Sequence, residues 1–487
     1  MNNNVKQLGK NFFYNLIYNL LSLIIPFITT PYISRALGPE KTGDYTFTYS
    51  IAYYFTLFTL LGVNRYGNRS IAFVKEDKDK RDKLFCEIYA FQLITGTISS
   101  IIYIIVAFVI SSNYRQLAII QIIFVISATL DVNWFFFGIE SFKMPMIRNI
   151  IVRIVNLILL ITCVKNENDI VIYTFIMAGS SFASQLALWG QIKKLVHFQR
   201  PSRDKIISHI KPNLVLFVPS IAVSLYKVMD KIMLGAMIDS VQVGYYEYSE
   251  KIINMPMTLV SAISTVMLPR MSNLVANQET DLEKKYVRIL LPIIICLSCG
   301  MCFGIIGILN DFIPWFLGDK FYSCINITQI LAPTGIFIAW GSVISSQILL
   351  PHEKDSKYVS CVCLGAVINL LINTLLIPRY LASGAAIATL ITEFVVMLLQ
   401  TFHARSFHKF ALYYGELVAF AIDGIIMSII LTNIHINFCN TLICILIKIL
   451  IGVLVYVILT FITFGIIDRY VLDLFIRSIR KNIFRIV

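Results

Sequence analysis

Residues 286–309 have the sequence YVRILLPIIICLSCGMCFGIIGIL, in which Arg288 is the single charged side chain. A helix that crosses the hydrocarbon core of a bilayer needs about 20 predominantly apolar residues. This stretch has the length and the composition of such a helix. It therefore predicts a membrane span, and the rest of the chain repeats the same type of stretch many times.

The composition of the whole chain leads to the same prediction. Of its 487 residues, 57% are apolar and 14% are charged, and the mean hydropathy is +0.76. Such a chain lacks the polar residues that a water-soluble protein needs to cover its surface. The net charge of +13 does not indicate a nucleic-acid partner, because the basic residues are not clustered in one soluble domain. We expect an all-α integral membrane protein.

Hydrophobic blocks between polar or Pro/Gly breaks predict fourteen transmembrane helices, named spans 1 to 14. Together they use most of the chain and leave short connections, so no extramembrane catalytic domain fits between them. Their boundaries are 12–34, 44–64, 86–110, 116–138, 147–165, 169–192, 214–238, 249–269, 286–309, 323–350, 357–377, 383–402, 411–432 and 442–466.

The distribution of Lys and Arg predicts the orientation, because basic residues are retained on the cytoplasmic side during insertion. If the N-terminus is cytoplasmic, the cytoplasmic segments between these boundaries carry 27 of the 41 basic residues and the outside connections carry 5. The bias predicts that both termini are cytoplasmic. Lys6 and Lys10 precede a span that is too long for a signal-peptide core, so span 1 is expected to remain as an anchor.

A weak internal repeat with a spacing of about 200 residues relates the two halves. Residues 36–51 (ALGPEKTGDYTFTYSI) align with residues 237–252 (MIDSVQVGYYEYSEKI), which matches Gly43 with Gly244. Copies separated by six spans share one orientation, so they imply a parallel pseudo-two-fold repeat of two six-helix bundles with a cleft between them. The predicted domains are an N-terminal lobe (1–195), a cytoplasmic linker (196–213), a C-terminal lobe (214–405), and spans 13 and 14 with a basic cytoplasmic tail (406–487).

Motifs for catalysis, cofactors and metals are lacking in the sequence. No Walker motif, G-x-S-x-G or dinucleotide-binding glycine pattern occurs at a strand-to-helix junction. Cys296, Cys299 and Cys302 have a metal-like spacing, but a straight helix cannot direct all three at one ion. The six histidines lie in connections or at span ends, without metal-ligand spacing. We expect no enzymatic activity, no bound metal and no cofactor.

Charges inside the spans are the main functional signal. Lys227, Asp230 and Lys231 lie near the middle of span 7, at i, i+3 and i+4, and share one helix face. One aspartate neutralises only one lysine, so a cation is left over. Because each charge costs roughly 2.5–3.5 kcal/mol at a lipid-facing helix centre, the cluster predicts a wet, positively charged cavity. A phosphate 4 Å from a cation there gains about 4 kcal/mol, before desolvation is subtracted.

Four further basic residues near span ends are candidates for binding the same anionic substrate: Arg65, Arg69, Arg153 and Lys251. An alternative interpretation pairs Lys227 with Asp230 and Lys251 with Glu250, and directs the arginines toward cytoplasmic headgroups.

Carboxylates inside other spans are candidates for coupling transport to H+ or Na+, with helix-packing contacts as the alternative. They are Asp131 in span 4, Glu393 in span 12 and Asp423 in span 13.

Several segments resemble the Wzx-type oligosaccharide flippases of polysaccharide biosynthesis, within the multidrug, oligosaccharidyl-lipid and polysaccharide exporter (MOP) superfamily. Residues 30–43 (TPYISRALGPEKTG) and 64–72 (NRYGNRSIA) are similar to the family's segments after span 1 and at the end of span 2. The similarity continues nearly to the end of the chain, through residues 230–235 (DKIMLG), 243–246 (VGYY), 365–369 (GAVIN), 376–379 (LIPR) and 384–393 (GAAIATLITE).

The resemblance implies a two-lobed fold with a central cavity, and spans 13 and 14 that help form a groove for a polyprenyl tail. It also implies a substrate, an undecaprenyl-diphosphate-linked oligosaccharide, which is flipped across the bacterial plasma membrane. Related lipid II flippases have cavity arginines on span 2, which favours Arg65 and Arg69. Span 1 carries Asn15, Asn19 and Thr29 where those relatives have arginines, so the resemblance does not extend to a charged clamp there. Membrane lipids, a polysaccharide polymerase and chain-length machinery are the expected partners, and nucleic acid is not.

Two other functions are alternatives. A cation-coupled multidrug (MATE-type) antiporter has the same superfamily fold, but carboxylates suit cationic drugs better than surplus lysines do. A membrane-embedded polysaccharide polymerase or ligase would need a sizeable outside loop with catalytic groups, whereas the longest predicted outside connection has about a dozen residues.

Overall fold

The computed structural model describes residues 2–434, 440–469 and 473, with the backbone alone for residues 2–23, 219 and 226. Within these residues the chain forms helices and no β-strand. Eleven helical segments of the described chain are long and apolar enough to cross a bilayer. The prediction of an all-α multi-pass membrane protein is confirmed. Residues 474–487, which make up most of the predicted basic tail, lie outside the described residues.

The contacts divide the chain into two units, of which the first is Met1–Gly244. Within it, α1 packs against α3, α4, α6 and α9, around a core that includes Leu37, Leu117 and Leu160. The helices of unit 1 are α1 (Asn2–Leu60), α2 (Val63–Val74), α3 (Lys78–Val109), α4 (Ser112–Thr129), α5 (Asn133–Gly138), α6 (Lys143–Cys163), α7 (Ile170–Leu195), α8 (Arg203–Ser208) and α9 (Ile210–Met237).

Two interrupted helices lie side by side in unit 1. α1 changes direction at Gly38. Its second arm, residues 39–60, is followed by Leu61 and Gly62, and α2 then begins at Val63. Gly62 has a φ of 89°, and a Cβ atom there would approach the carbonyl oxygen of Asn213 at 2.5 Å, so only glycine fits. The predicted span 4 is also interrupted, because α4 ends at Thr129 and α5 begins at Asn133. α2 packs directly on α5.

The second unit is Tyr245–Val487. α11 packs against α13, α15 and α16, and Leu309, Ile313 and Phe316 on α11 form a core with Tyr248. A π-helical turn, Ile344–Leu349, follows α13, and α14 is interrupted at Leu381. The remaining helices are α10 (Ser240–Ala276, whose first turn belongs to unit 1), α11 (Thr280–Phe316), α12 (Cys324–Leu331), α13 (Thr334–Val343), α14 (Asp355–Ala404), α15 (Ala411–Asn433) and α16 (Thr441–Ile467).

The grouping by contacts places α9 in unit 1, because α9 packs on α1 and α2. The lobe boundaries at residues 195, 213 and 405 stay a prediction. The two glycines that the internal repeat aligns, Gly43 and Gly244, each pack against the backbone four residues before the other glycine. Gly43 lies against the carbonyl oxygen of Ser240, and Gly244 lies against the carbonyl oxygen of Pro39.

Candidate functional site

The basic cluster predicted in span 7 lies on α9. Lys227 is exposed, Asp230 is only 1% exposed, and Lys231 is half-buried. No carboxylate of the described residues lies within 4.0 Å of the Lys227 ammonium group, so the alternative pairing of Lys227 with Asp230 is not observed. A mainly apolar helix, which also carries Asp230 and Lys231, thus presents a lysine without an acidic partner among the described residues.

The second arm of α1 runs antiparallel to α9 and fixes its position. The ring of Phe58 lies 5.6 Å from that of Phe217, and the Tyr54 hydroxyl donates a hydrogen bond of 3.2 Å to the carbonyl oxygen of Ser224. Farther along, Gly235 packs against the Phe47 ring. This antiparallel register places Lys227 at nearly the same height along the helix axes as Tyr54, between the contacts at the two ends of the α1–α9 pair.

The predicted arginines of span 2 lie on α2, which begins directly after Gly62. Arg65 and Arg69 are both exposed, and neither has an acidic partner among the described residues. The guanidinium group of Arg69 lies 5.8 Å from the centre of the Phe73 ring. Both arginines therefore carry charge that the described chain does not neutralise.

Arg65 and Lys227 lie at different levels of unit 1. Gly62, just before Arg65, contacts the backbone of Asn213, and Lys227 follows Asn213 by 14 residues. That separation corresponds to about 21 Å along a helix. Because α1 and α9 are antiparallel, α2 continues away from Lys227. One diphosphate group does not span this distance, so the structure brings Lys227 and Lys231 together and keeps Arg65 apart.

The candidate Lys251 on α10 has an acidic partner different from the one expected. Its ammonium group lies 3.0 Å from a carboxylate oxygen of Glu247 and 5.1 Å from the centre of the Tyr248 ring. Glu247 precedes it by one helical turn, whereas the alternative interpretation paired it with Glu250. Arg153 is half-buried on α6. With its charge balanced by Glu247, Lys251 is a weaker candidate for substrate binding than Lys227.

Asp131 lies at the interruption between α4 and α5, not inside a continuous span as predicted. Its carboxylate accepts hydrogen bonds from the backbone N–H of Asn133 at 2.8 Å and from the Asn133 side chain at 2.6 Å. The same asparagine accepts a hydrogen bond from Arg148. The span is interrupted because side-chain and backbone hydrogen bonds replace the helical ones here. These bonds give Asp131 a structural role.

The other two coupling candidates are buried within unit 2. Glu393 on α14 is 6% exposed, and Asp423 on α15 is also 6% exposed. Asp423 accepts a hydrogen bond of 2.8 Å from the Thr463 hydroxyl on α16. Both residues have the burial expected of coupling carboxylates, and their role in coupling stays a prediction.

Two buried histidine–glutamate pairs were missed by the sequence analysis, which left the histidines in loops. In unit 1, Nε2 of His209 lies 3.4 Å from the Glu87 carboxylate, and Nδ1 lies 2.7 Å from the Tyr66 hydroxyl. In unit 2, Nε2 of His408 lies 3.2 Å from the Glu283 carboxylate. The sequence did contain a signal for these pairs. His209 and His408 are about 200 residues apart, as are Glu87 and Glu283, and this is the spacing of the internal repeat.

An apolar groove with a volume of about 400 Å³ lies among α10, α11, α15 and α16. Pro256, Gly304, Met427 and Tyr456 are among its lining residues. Gly300 allows the Tyr456 ring to approach α11 closely, and the Tyr456 hydroxyl donates a hydrogen bond of 2.7 Å to the carbonyl oxygen of Cys296. The groove offers apolar walls of the kind that hold a hydrocarbon chain.

Within the part of the chain that the structure describes, no group of three or more His, Cys, Asp or Glu residues is arranged to hold a metal ion. Cys299 and Cys302 are 0% and 1% exposed, in packing positions on α11.

Comparison with known proteins gives consistent similarities. The chain is 26% identical to a putative O-antigen transporter of Escherichia coli over 422 residues, which cover 83% of this chain and 99% of the relative. It is 25% identical to the capsular polysaccharide biosynthesis protein CapF of Staphylococcus aureus over 407 residues, covering 80% and 97%. These similarities extend along almost the whole of each relative.

Two solved structures share the fold. One is the lipid II flippase MurJ in an inward closed conformation, with a TM-score of 0.73, 18% identity, and coverage of 93% of this chain and 99% of MurJ. The other is a multidrug resistance MATE family transporter of the MOP superfamily in an inward-facing conformation, with a TM-score of 0.62, 13% identity, and coverage of 81% and 97%. Residues 8–275 match the family described as polysaccharide biosynthesis protein. Since this match covers more than half of the 487 residues, the chain belongs to the polysaccharide biosynthesis protein family.

Proposed function

We propose that the protein flips undecaprenyl-diphosphate-linked oligosaccharide repeat units from the cytoplasmic to the outer leaflet of the bacterial plasma membrane, for surface polysaccharide assembly. The observation that carries this proposal is the exposed Lys227, which lies inside an apolar helix without an acidic partner among the described residues. The relatives named as transporters and the fold shared with MurJ support it. The protein acts as a transporter and not as an enzyme.

The proposal includes fourteen spans with both termini in the cytoplasm. The segments Ile24–Val74 and Asp355–Ala404 each contain a reversal and cross the bilayer twice, and α9 is a further span. These three additions raise the eleven apolar segments to fourteen. The interruptions at Gly38 and Leu381 support this count, because a straight helix of about 50 residues would be about 75 Å long, far more than a bilayer is thick.

The diphosphate headgroup of the substrate contacts the basic residues of α2 and α9 one after the other. Gly62, just before Arg65, contacts Asn213, which lies about 21 Å from Lys227 along α9. The diphosphate therefore contacts the arginines of α2 first and the lysines of α9 later. A cation about 4 Å from a phosphate contributes about 4 kcal/mol at an effective dielectric constant near 20, before desolvation. The groove among α10, α11, α15 and α16 holds the polyprenyl tail, and its apolar lining supports this role.

Transport follows an alternating-access cycle, in which the cavity opens first to the cytoplasm and then to the outside. H+ or Na+ provides the coupling, with Glu393 and Asp423 as the acidic candidates, since both are buried within spans. A polysaccharide polymerase and chain-length machinery receive the flipped unit. No covalent step is involved.

Reconstituted vesicles test the substrate class. The purified full-length protein is placed in liposomes with fluorescent undecaprenyl-diphosphate-linked sugar, and a membrane-impermeant quencher reports the label in the outer leaflet. We expect flipping at least tenfold faster than in protein-free vesicles, and no acceleration for the matching polyprenol without phosphate. If ethidium crosses while the diphosphate lipid does not, the protein is a drug exporter. Longer glycan products without flipping would identify a polymerase.

A further inference from the structure

A second groove lies where α14 ends and α15 begins, in unit 2. It has a volume of about 850 Å³, and none of its lining residues belongs to the groove assigned to the polyprenyl tail. Residues 405–410 connect the two helices at its end, on the side predicted to be cytoplasmic. The groove therefore begins at a membrane surface and continues along the apolar part of two helices.

One wall of the groove is apolar and faces the lipid. Val395, Leu398 and Phe402 follow one another along α14 at helical spacing. Leu398 is 37% exposed and Phe402 is 52% exposed. An exposed apolar stripe on a membrane-spanning helix lies next to hydrocarbon chains, so this wall is continuous with the lipid-facing surface.

The end of the groove carries positive charge. The guanidinium group of Arg405 lies 3.8 Å from the centre of the Phe402 ring, and Lys409 is exposed. Neither has an acidic partner among the residues that the structure describes. The nearby carboxylate of Glu283 faces His408 at 3.2 Å and His352 at 3.7 Å, so it is already engaged. Two cations remain at the mouth of an apolar groove.

The opposite wall is held in place by aromatic contacts. Tyr414 on α15 stacks on Trp340 of α13, with ring centres 5.3 Å apart. The indole N–H of Trp340 donates a hydrogen bond of 2.9 Å to the Thr401 hydroxyl on α14. α13, α14 and α15 are thereby joined around the groove, which is formed before any occupant arrives.

We infer that this groove binds an anionic phospholipid of the adjacent leaflet. The phosphate lies between Arg405 and Lys409, and one acyl chain lies along Val395, Leu398 and Phe402. Basic groups between transmembrane helices at the cytoplasmic surface attract acidic headgroups, because this leaflet carries the anionic lipids. A free phosphate would use only the charged end. A phospholipid fits both the charge at the mouth and the apolar wall behind it.

The inference is independent of the proposed flippase activity, because it needs no polyprenyl substrate. Native mass spectrometry of the delipidated full-length protein tests it, with added phosphatidylglycerol or phosphatidylcholine of matched chains. We expect at least fivefold more bound phosphatidylglycerol than phosphatidylcholine. The double variant Arg405→Gln/Lys409→Gln should lose this preference. The matched control Lys284→Gln/Lys285→Gln removes the same charge from two exposed lysines outside the groove and should keep it.

Two further measurements separate the charged end from the apolar wall. Leu399→Trp fills the groove while keeping both cations, and it should reduce phosphatidylglycerol binding as much as the double variant does. Added inorganic phosphate should not displace the lipid. The inference is overturned if the groove variants bind phosphatidylglycerol as well as the parent does, if phosphatidylcholine binds equally, or if inorganic phosphate competes. Equal melting temperatures of parent and variants confirm that each remains folded.

Discussion

Gly43 and Gly244 pack against each other's chain segments in a reciprocal way. Gly43 lies against the carbonyl oxygen of Ser240, four residues before Gly244, and Gly244 lies against the carbonyl oxygen of Pro39, four residues before Gly43. Both glycines thus mark a close backbone contact between α1 and α10 within unit 1, and the internal repeat that aligns them stays a prediction.

The first prediction concerns this contact. Gly43→Ala adds a methyl group that collides with the Ser240 carbonyl oxygen, and a backbone atom held in a helix does not move aside easily. We expect a lower melting temperature and reduced flipping. The control is Gly179→Ala on α7, where no atom lies within 4 Å of the added Cβ. This change should stabilise by about 1 kcal/mol through helix propensity. Equal melting temperatures for the two variants would contradict the steric explanation.

The second prediction concerns pH and His209. Burial lowers the pKa of His209 below its usual value. The Glu87 carboxylate raises this pKa, and the positive charge of Lys205 lowers it, so the effect of burial is only partly offset. The His209 imidazole therefore binds a proton more readily in the unfolded chain than in the folded chain. The stability of the fold is complete above about pH 6.5, where this histidine is neutral in both states, and decreases as the pH falls. Tyr66 is the remaining polar contact.

Melting temperatures at pH 7.5 and pH 5.5 test this prediction. The parent should lose stability on acidification, and His209→Gln should lose less. His197→Gln should lose at least as much stability as the parent, because this 95% exposed imidazole lies 3.5 Å from the Asp82 carboxylate and attracts it more strongly when protonated. If His209→Gln shows the same loss as the parent, burial of this histidine does not contribute to the acid sensitivity.

The third prediction concerns the ion pair between α16 and α11. The Lys448 ammonium group lies 2.5 Å from the Asp311 carboxylate, and the side chains are 7% and 37% exposed. Asp311→Asn leaves a buried lysine without a counter-charge, which should lower the free energy of unfolding by about 3 kcal/mol. Lys448→Met leaves an aspartate that solvent reaches, so the loss should be about 1 kcal/mol. Thermal unfolding in detergent compares them, and the opposite order would contradict this assignment.

The fourth prediction concerns the tail groove. Gly304→Leu fills space that the groove leaves open, since the nearest side-chain atom to an added Cβ is 3.6 Å away. We expect at least tenfold slower flipping of the undecaprenyl substrate, and nearly unchanged flipping of an analogue with a short prenyl chain. Gly179→Leu controls for the added side chain. Equal slowing of long and short substrates would place the tail elsewhere.

The sequence predicted the parts of the structure that depend on local composition. Hydropathy identified the helices, and the surplus lysine on α9 followed from counting charges within one span. Hydropathy and charge counting do not predict contacts between side chains that are distant in the sequence. Nothing in the local pattern indicates that Glu87 meets His209 or that Asp311 meets Lys448. The interruption beside Asp131 was missed for a similar reason, because its hydrogen bonds depend on a turn within an apolar stretch.

The separation of Arg65 from Lys227 is a further example. Both residues are candidates by sequence for binding the same anionic substrate, which predicts a single site for them. Their distance follows from the antiparallel register of α1 and α9, which is set by contacts such as Phe58 with Phe217. Register between helices is a tertiary property that one sequence does not reveal. The proposal that the two sites act one after the other therefore rests on this register and not on the sequence.

The most direct measurement is the flipping rate of the Lys227→Gln variant in proteoliposomes, with fluorescent undecaprenyl-diphosphate-linked sugar. Lys251→Gln is the control, because Glu247 already balances that charge. We predict that Lys227→Gln is at least tenfold slower, a loss of about 1.4 kcal/mol or more, that Lys227→Arg retains most of the rate, and that Lys251→Gln is nearly normal. Flipping by Lys227→Gln at the parental rate, with equal reconstitution, would contradict a role of Lys227 in binding the diphosphate.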